Sequence, residues 1–294
     1  MAEGQRFDAR STKVLAYTAH LGDRQQSLAR RVGATVERSF TLAANGFTAR
    51  LTARQAAELA GSRDVLLLEK DRRQHLDSWD VPDFLGLSGR HGAWQREAGG
   101  RAHAGAGTVV GILDSGIWPE SKSFAGRRLT ATPKTRWHIS RKGQHVRMKK
   151  ADGGVFRGLC QLSYRYHGRT IPARGWTADD CNTKLVGARY YPEEFLDGVP
   201  RKDRSADEHL STRDAGGHGT HTAGTAAGNP VAGVTVEDVQ FGTVSGMAPA
   251  AKIAAYKVCF DDNDPDTGDC FTGATLAAVD DAIADGVDVL NYSI

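Results

Sequence analysis

These 294 residues contain no apolar run approaching the ~20 residues that a membrane-spanning helix needs. They contain no C-x-x-C pair of the zinc-ribbon or redox type, no His-Glu-x-x-His pattern, no internal repeat and no low-complexity stretch. A large excess of either charge is absent as well. The net charge of +3 is too small to argue for a nucleic-acid or membrane partner. The one local cationic excess, Arg127 to Lys150, reads as a solvated surface loop. The N-terminus, "MAEGQRFDARSTK", lacks an apolar signal core. Either the chain is not exported or its targeting segment lies outside this sequence. What remains is the composition of an ordinary globular protein, 40% hydrophobic and 25% charged, in a chain long enough for one large domain or two smaller ones.

Only four cysteines occur, Cys160, Cys181, Cys259 and Cys270, all in the second half. An even count at local spacings suits two disulfides in an oxidising compartment. Four buried free thiols are the alternative.

The texture of the chain changes near residue 77. Before it, "KVLAYTAH" reads as a strand and "DRQQSLARRVG" as a short helix. "TVERSF" and "GFTARL" read as two strands, with Asn45-Gly46 marking the turn between them. "TARQAAELAG" is a second helix, opened by a Thr52/Gln55 capping box and stopped by Gly61. "DVLLLEK" closes as a strand. The order βαββαβ predicts a small ferredoxin-like α+β unit over residues 1–76. "HLDSWDVPDFLGLSG" follows as a linker, and residues 77–104 lead into the second region.

From residue 105 the pattern is α/β. "GTVVGILDSG" holds a short apolar run, Val109 to Leu113, of the kind buried on both faces of a parallel sheet. "AKIAAYKVC" and "VDVLNYSI" are two more. "TGATLAAVDDAIADG" has helical spacing and ends at Gly286. Residues 120–210 are less regular and predict long loops.

Asp114 closes its strand at the edge where open α/β sheets build their sites. Alone, "DSG" is more often a turn. It also matches an aspartic-protease signature, but that mechanism needs two carboxylates sharing a proton, and no second D-[ST]-G occurs. In "GGHGTHTAGTAAG", residues 216–228, His218 opens a helix built almost wholly of glycine, alanine and threonine. Such a helix can pack very close to a sheet and carry its first turn deep into the structure. A histidine there can be oriented by a buried carboxylate, as a proton-shuttling imidazole requires. His221, one turn on, could instead form a metal pair with His218, but nothing nearby is spaced to complete a site. Read alone, the segment also fits two core histidines with satisfied hydrogen bonds.

"VVGILDSGIWPES", "GHGTHTAGTAAGN", "SGMAPAAKIAAYKVC" and "AIADGVDVLNYSI" occur in that order. Together they resemble the subtilisin-like serine proteases, in particular the branch holding the plant subtilases and similar bacterial secreted enzymes. The cysteine segment around "GLCQLSYRYHGRT" is similar to the same branch. Residues 13–76, above all "NGFTARLTARQAAEL", are similar to its inhibitor-type propeptide. The resemblance implies a parallel-sheet peptidase domain with helices on both faces over residues 105–294, preceded by the propeptide. It implies Asp114 as the carboxylate that orients His218, and His218 as general base; His221 has no catalytic role. Ser293 and Ile294 match the start of the strand that pairs with the substrate main chain. It implies the pairings Cys160 with Cys181 and Cys259 with Cys270. It also implies polypeptide substrates, the propeptide as intramolecular inhibitor, and secretion, with no nucleic-acid or membrane partner, no cofactor and no catalytic metal. A structural calcium is compatible with the family, but no ligand set can be read. The propeptide is expected to dock by its sheet, with cleavage near Leu76-Asp77.

Two elements of the family pattern are absent. The nucleophile segment Gly-Thr-Ser-Met-Ala-x-Pro does not occur, nor does the oxyanion-hole asparagine that precedes it. "GTVSGMAP" shares letters with it but leads into a strand, so Ser245 is not a credible nucleophile. The chain ends at Ile294 inside an apolar strand, and the expectation is the N-terminal portion of a proprotease, inactive by itself. An inhibitor or folding-chaperone module and a catalytically dead relative are the alternatives.

Overall fold

A computed structural model describes residues 8–71, 73–74, 85–133, 136–236, 239–263 and 268–294. The linker "HLDSWDVPDFLGLSG" falls largely outside them, and so does the expected cleavage position at Leu76-Asp77.

The N-terminal unit opens with helix α1 (Thr12–Arg31). Strands β1 (Arg38–Phe40) and β2 (Gly46–Thr48) then form an antiparallel hairpin. Helix α2 (Ala53–Ala60) follows, with the capping box of Thr52 and Gln55 formed as the sequence predicts. A two-residue strand, β3 (Arg73–Gln74), comes last. Two expected strands do not form. "KVLAYTAH" belongs to α1: the Ser11 hydroxyl caps its first turn, and Leu21, Gln25 and Ala29 are buried at a four-residue spacing along one face. That periodicity extends one helix back across the segment that reads locally as a strand. "DVLLLEK" is not a strand either. Among the described residues β1 and β2 pair with each other; the segment adds to neither, and Leu66 to Leu68 are exposed. The αββα centre of the expected βαββαβ order is present, without its outer strands.

The second region begins with helix α3 (Ala93–Ala98) and strand β4 (Val109–Asp114). The stretch expected as loops is more regular than predicted. It holds a meander of β5 (Ser140–Lys142), β6 (His145–Lys149) and β7 (Val155–Leu159), and a hairpin of β8 (Ser163–Tyr166) and β9 (Arg169–Pro172). Strand β10 (Leu185–Tyr190) and helix α4 (Glu193–Gly198) follow. Among the described residues the basic run is an exposed irregular segment only in its first half; from Ser140 it is strand. In β6, cations alternate with the buried Val146 and Met148, a two-residue period that the charge count conceals. Two of the basic run's arginines, Arg128 and Arg141, meet Asp179.

Next come helix α5 (His218–Ala227), an exposed hairpin of β11 (Val231–Val236) and β12 (Val239–Val244), and strand β13 (Lys252–Lys257). Strands β14 (Cys259–Asp261) and β15 (Gly268–Phe271) form an antiparallel arm. Helix α6 (Thr272–Asp285), stopped by Gly286 at φ 83°, leads into β16 (Val289–Tyr292).

The central sheet has the order β10-β13-β4-β16, and all its pairs are parallel. Tyr256 of β13 donates to Asp285 at the end of α6. Lys257, the next residue, points to the opposite face, and in register with it Asp114 meets α5. The two helices therefore cover opposite faces, as the parallel-sheet reading requires. Among the described residues, no helix is long and apolar enough to cross a membrane.

Lys184, just before β10, is buried, and its ammonium donates to the carbonyls of Pro249 and Ala251, at 2.8 and 2.7 Å. Burial, reinforced by Lys252, lowers its pKa from 10.5 to about 7. Between those two values the unfolded chain binds the proton that the folded chain has released, so Lys184 makes stability rise with pH across that window. Lys184→Met should flatten the rise, by up to about 1.4 kcal/mol per pH unit. Urea titrations of both proteins at pH 7.5 and 9 check this; equal slopes would show that Lys184 does not titrate there.

Candidate active site

Asp114 ends β4 at the C-terminal edge of the sheet, with 1% of its surface exposed. A carboxylate so placed is costly unless its oxygens are filled. Oδ1 takes Nδ1 of His218 at 2.8 Å and the Ser115 amide at 2.7 Å, and Oδ2 accepts from the Thr222 hydroxyl at 3.0 Å. A carboxylate in this state only accepts, which assigns the proton to Nδ1 of the imidazole. Nε2 is then the basic nitrogen.

His218 is the first residue of α5, and a second buried carboxylate sets that helix start. Asp214 accepts from the amides of Gly217 and Thr220, at 2.9 and 2.8 Å, and from the Thr220 hydroxyl. Negative charge on first-turn amides is the favourable arrangement at a helix start. Ser115 couples the two carboxylates. Its amide bonds Asp114, its hydroxyl donates to Asp214 at 2.9 Å, and the same oxygen accepts from the Gly219 amide at 2.8 Å. The predicted close approach of helix to sheet is present. A Cβ on Gly219 would lie 2.3 Å from the Gly116 carbonyl oxygen, and Gly116 itself sits at φ 118°. Ala223 and Ala227 are fully buried along the same helix.

A third layer supports the loop that leads into α5. The Lys257 ammonium, fully buried, pairs with Glu208 and donates to the Arg213 carbonyl. Glu208 also accepts from the Asp261 amide at 2.6 Å, tying the loop to the β14–β15 arm. Burial, then the neighbouring Glu208, pushes the Asp261 carboxyl above its usual range. Arg213 lies over the Trp118 ring and grips Glu120 through two bonds, of 3.0 and 2.6 Å. That contact holds the Glu120 carboxyl below its usual range.

The structure therefore joins Asp114 to His218. His221, one turn on, is exposed, and the described residues contain no group of three or more acidic, histidine or cysteine side chains placed to hold a metal. Ser245 accepts from Arg101 at 2.6 Å. The next residues bond the C-terminal part of α5, at Gly228 and Thr225. At 1.5 Å rise per residue, that places Ser245 about 10 Å or more along the helix from His218. Ser293 and Ile294 follow β16; since Tyr292 is level with Leu113, Ser293 falls level with Asp114 on the same sheet edge. Both expected disulfides are present: Cys160–Cys181 closes the loop holding β8 and β9, and Cys259–Cys270 crosses the arm between β14 and β15. Sequence reading missed Ser115, Asp214, Thr222 and the Glu208–Lys257 pair. Asp214 stands four residues before His218, and Ser115 directly after Asp114, but neither position announces a shared hydrogen bond.

Residues 105–294 match the model of the subtilase family of peptidases, and residues 5–77 match that of the I9 peptidase inhibitors. The chain is 36% identical over 264 residues to subtilisin-like protease SBT1.4 of Arabidopsis thaliana, covering 89% of this chain and 28% of that protein. It is 38% identical over 255 residues to subtilisin-like protease Glyma18g48580 of Glycine max, covering 85% and 27%. A third, subtilisin-like protease SBT1.3 of Arabidopsis thaliana, is 34% identical over 97% of this chain and 31% of its own length. The chain thus spans under a third of the length of these relatives.

Two substitutions probe the framework. Asp214→Ala removes the acceptor of four donors and should cost about 3 kcal/mol. Gly219→Ala drives a methyl group into the Gly116 backbone and should cost at least about 2 kcal/mol. Guanidinium unfolding followed by tryptophan fluorescence measures both; a loss under about 1 kcal/mol in either would contradict the arrangement.

Proposed function

The chain belongs to the subtilase family, and we propose that it supplies the acid–base half of a serine endopeptidase acting on polypeptides. The observation that carries the reading is the 2.8 Å bond from His218 Nδ1 to the buried Asp114. In this reading Nε2 of His218 takes a proton from a serine hydroxyl as that oxygen attacks the scissile carbonyl, and later returns it to the leaving amine. Asp114 holds the tautomer and stabilises the imidazolium that forms. Ser293 and Ile294, on the same edge, would pair with the substrate main chain. No such serine segment lies within these 294 residues, and an imidazole without a nucleophile forms no acyl-enzyme.

A second observation supports an inhibitory role for the N-terminal unit. β3 pairs antiparallel with β15, Arg73 opposite Phe271 and Gln74 opposite Cys270. This is strand addition of the unit's last described residues onto the disulfide arm. That arm is tied by Asp261 and Glu208 to the loop before His218. Two disulfides suit a secreted protein.

Peptide hydrolysis tests the reading. The 294-residue chain should show no turnover, and Ser245→Ala should change nothing. In the whole protein, Asp114→Asn should lower kcat by about 10⁴-fold and His218→Ala by about 10⁶-fold. Turnover by the 294-residue chain that vanishes with Ser245→Ala would overturn the assignment, as would a whole protein indifferent to His218→Ala.

A further inference from the structure

The N-terminal unit touches the second region at several places, and their chemistry differs. Arg10 reaches the Ala284 and Arg157 carbonyls and Asp285, and Asp71 accepts from the Thr272 amide at 2.7 Å. The amides of Thr41 and Ala43 bond Asp280 on α6, at 2.9 and 2.5 Å. These are backbone contacts that carry little information about side chains. β3 adds to β15, again through backbone. The contact with α4 is made by side chains on both partners. Arg38 of β1 grips Glu194 of α4 through two bonds, at 3.1 and 3.0 Å, and reaches Glu193 at 3.4 Å. Arg50 meets Asp197 on the same helix at 2.6 Å.

The carboxylates on α4 are held ready by the neighbouring hairpin. Tyr164 of β8 donates to Glu193 at 2.9 Å, and Tyr166 donates to Asp197 at 2.6 Å. That hairpin lies inside the loop closed by the Cys160–Cys181 disulfide. Arg38 and Glu194 keep only 13% and 17% of their side-chain surface exposed. An ion pair this far out of water is weak evidence for stability. Removing one partner, however, strands a desolvated charge and is strongly unfavourable. Such a pair discriminates between partners more than it binds them. Arg50 keeps 65% of its surface exposed, so its pair is worth far less.

We propose that the α4 ridge of Glu193, Glu194 and Asp197 selects this chain's own N-terminal unit, with Arg38 as the specificity-determining residue. The partner the ridge fits is an inhibitor-type unit presenting a guanidinium at the start of its hairpin; one with a neutral or acidic side chain there is rejected because Glu194 would be buried unpaired. The proposal rests on the peptidase-and-inhibitor reading above, but it names a site far from Asp114 and His218.

The test uses the full 294-residue chain and hydrogen–deuterium exchange. Arg38→Glu should speed exchange of the β1–β2 hairpin and of α4 by about tenfold or more, and Glu194→Arg should do the same. The combined swap should return both to within about threefold of the unaltered chain. Arg50→Ala should change exchange by no more than about threefold. Protection of β4 and α5 should stay unchanged in every variant, which shows that the second region remains folded. Single swaps that leave the hairpin's protection unchanged would overturn the proposal, and so would a double swap no better than either single one. If charge reversal unfolds the chain, Arg38→Gln and Glu194→Gln replace it, and effects that add without coupling overturn the proposal. Any of these failures leaves the Asp114–His218 reading standing, because no variant touches it.

Discussion

A single carboxylate, that of Asp114, dictates the arrangement of the second region. Burying it at the end of a strand is tolerable only because three donors reach it. Each donor comes from a different constraint. The Ser115 amide is fixed by the turn after β4, the Thr222 hydroxyl needs α5 in register, and the His218 ring needs α5 to begin where it does. Move the helix outward by one methyl group and two of the three are lost. The glycine at position 219, facing the backbone of Gly116, is therefore a condition for satisfying a buried charge as much as a packing choice.

The same economy explains why a second carboxylate lies so close. Asp214 binds nothing that reacts in the proposed mechanism. It fills the first-turn amides of α5, and it shares Ser115 with Asp114. Each of the two carboxylates is surrounded by amide and hydroxyl donors. The Lys257 ammonium beneath the loop adds a compensating positive charge, relayed through Glu208 and the Arg213 carbonyl. The site is a layered set of paired polar groups, each satisfied by the next layer.

The N-terminal unit joins the second region by other means. Its own hydrophobic content is small: Leu21, Ala29, Phe40 and Leu59 are among its few buried apolar residues. It meets the second region through backbone amides, a short strand pairing and ion pairs. Contacts of this kind resemble an interface between separable partners more than the continuous apolar core of one domain. That character suits the inhibitory role proposed for the unit.

The sequence by itself determined what depends on local chemistry and short spacing. The capping box at Thr52, the small-residue helix after His218, the glycine stop at 286 and the apolar runs ending at Asp114 and Tyr292 all act within a few residues, and all were legible. The Asn45-Gly46 pair was not the turn itself, because Gly46 already pairs with Phe40 as the first residue of β2. So was the family, because its motifs keep their order along the chain. Tertiary structure alone decided the rest. Residues 13–20 joined a helix because Leu21, Gln25 and Ala29 bury one face of α1, and residues 64–70 lie outside the β1–β2 ladder with their leucines exposed. The basic segment became a hairpin because Val146 and Met148 found a core to enter. Asp214, Ser115 and Glu208 acquired their roles only when β4, α5 and the arm met, since a hydrogen bond across a hundred residues leaves no periodic trace along the chain.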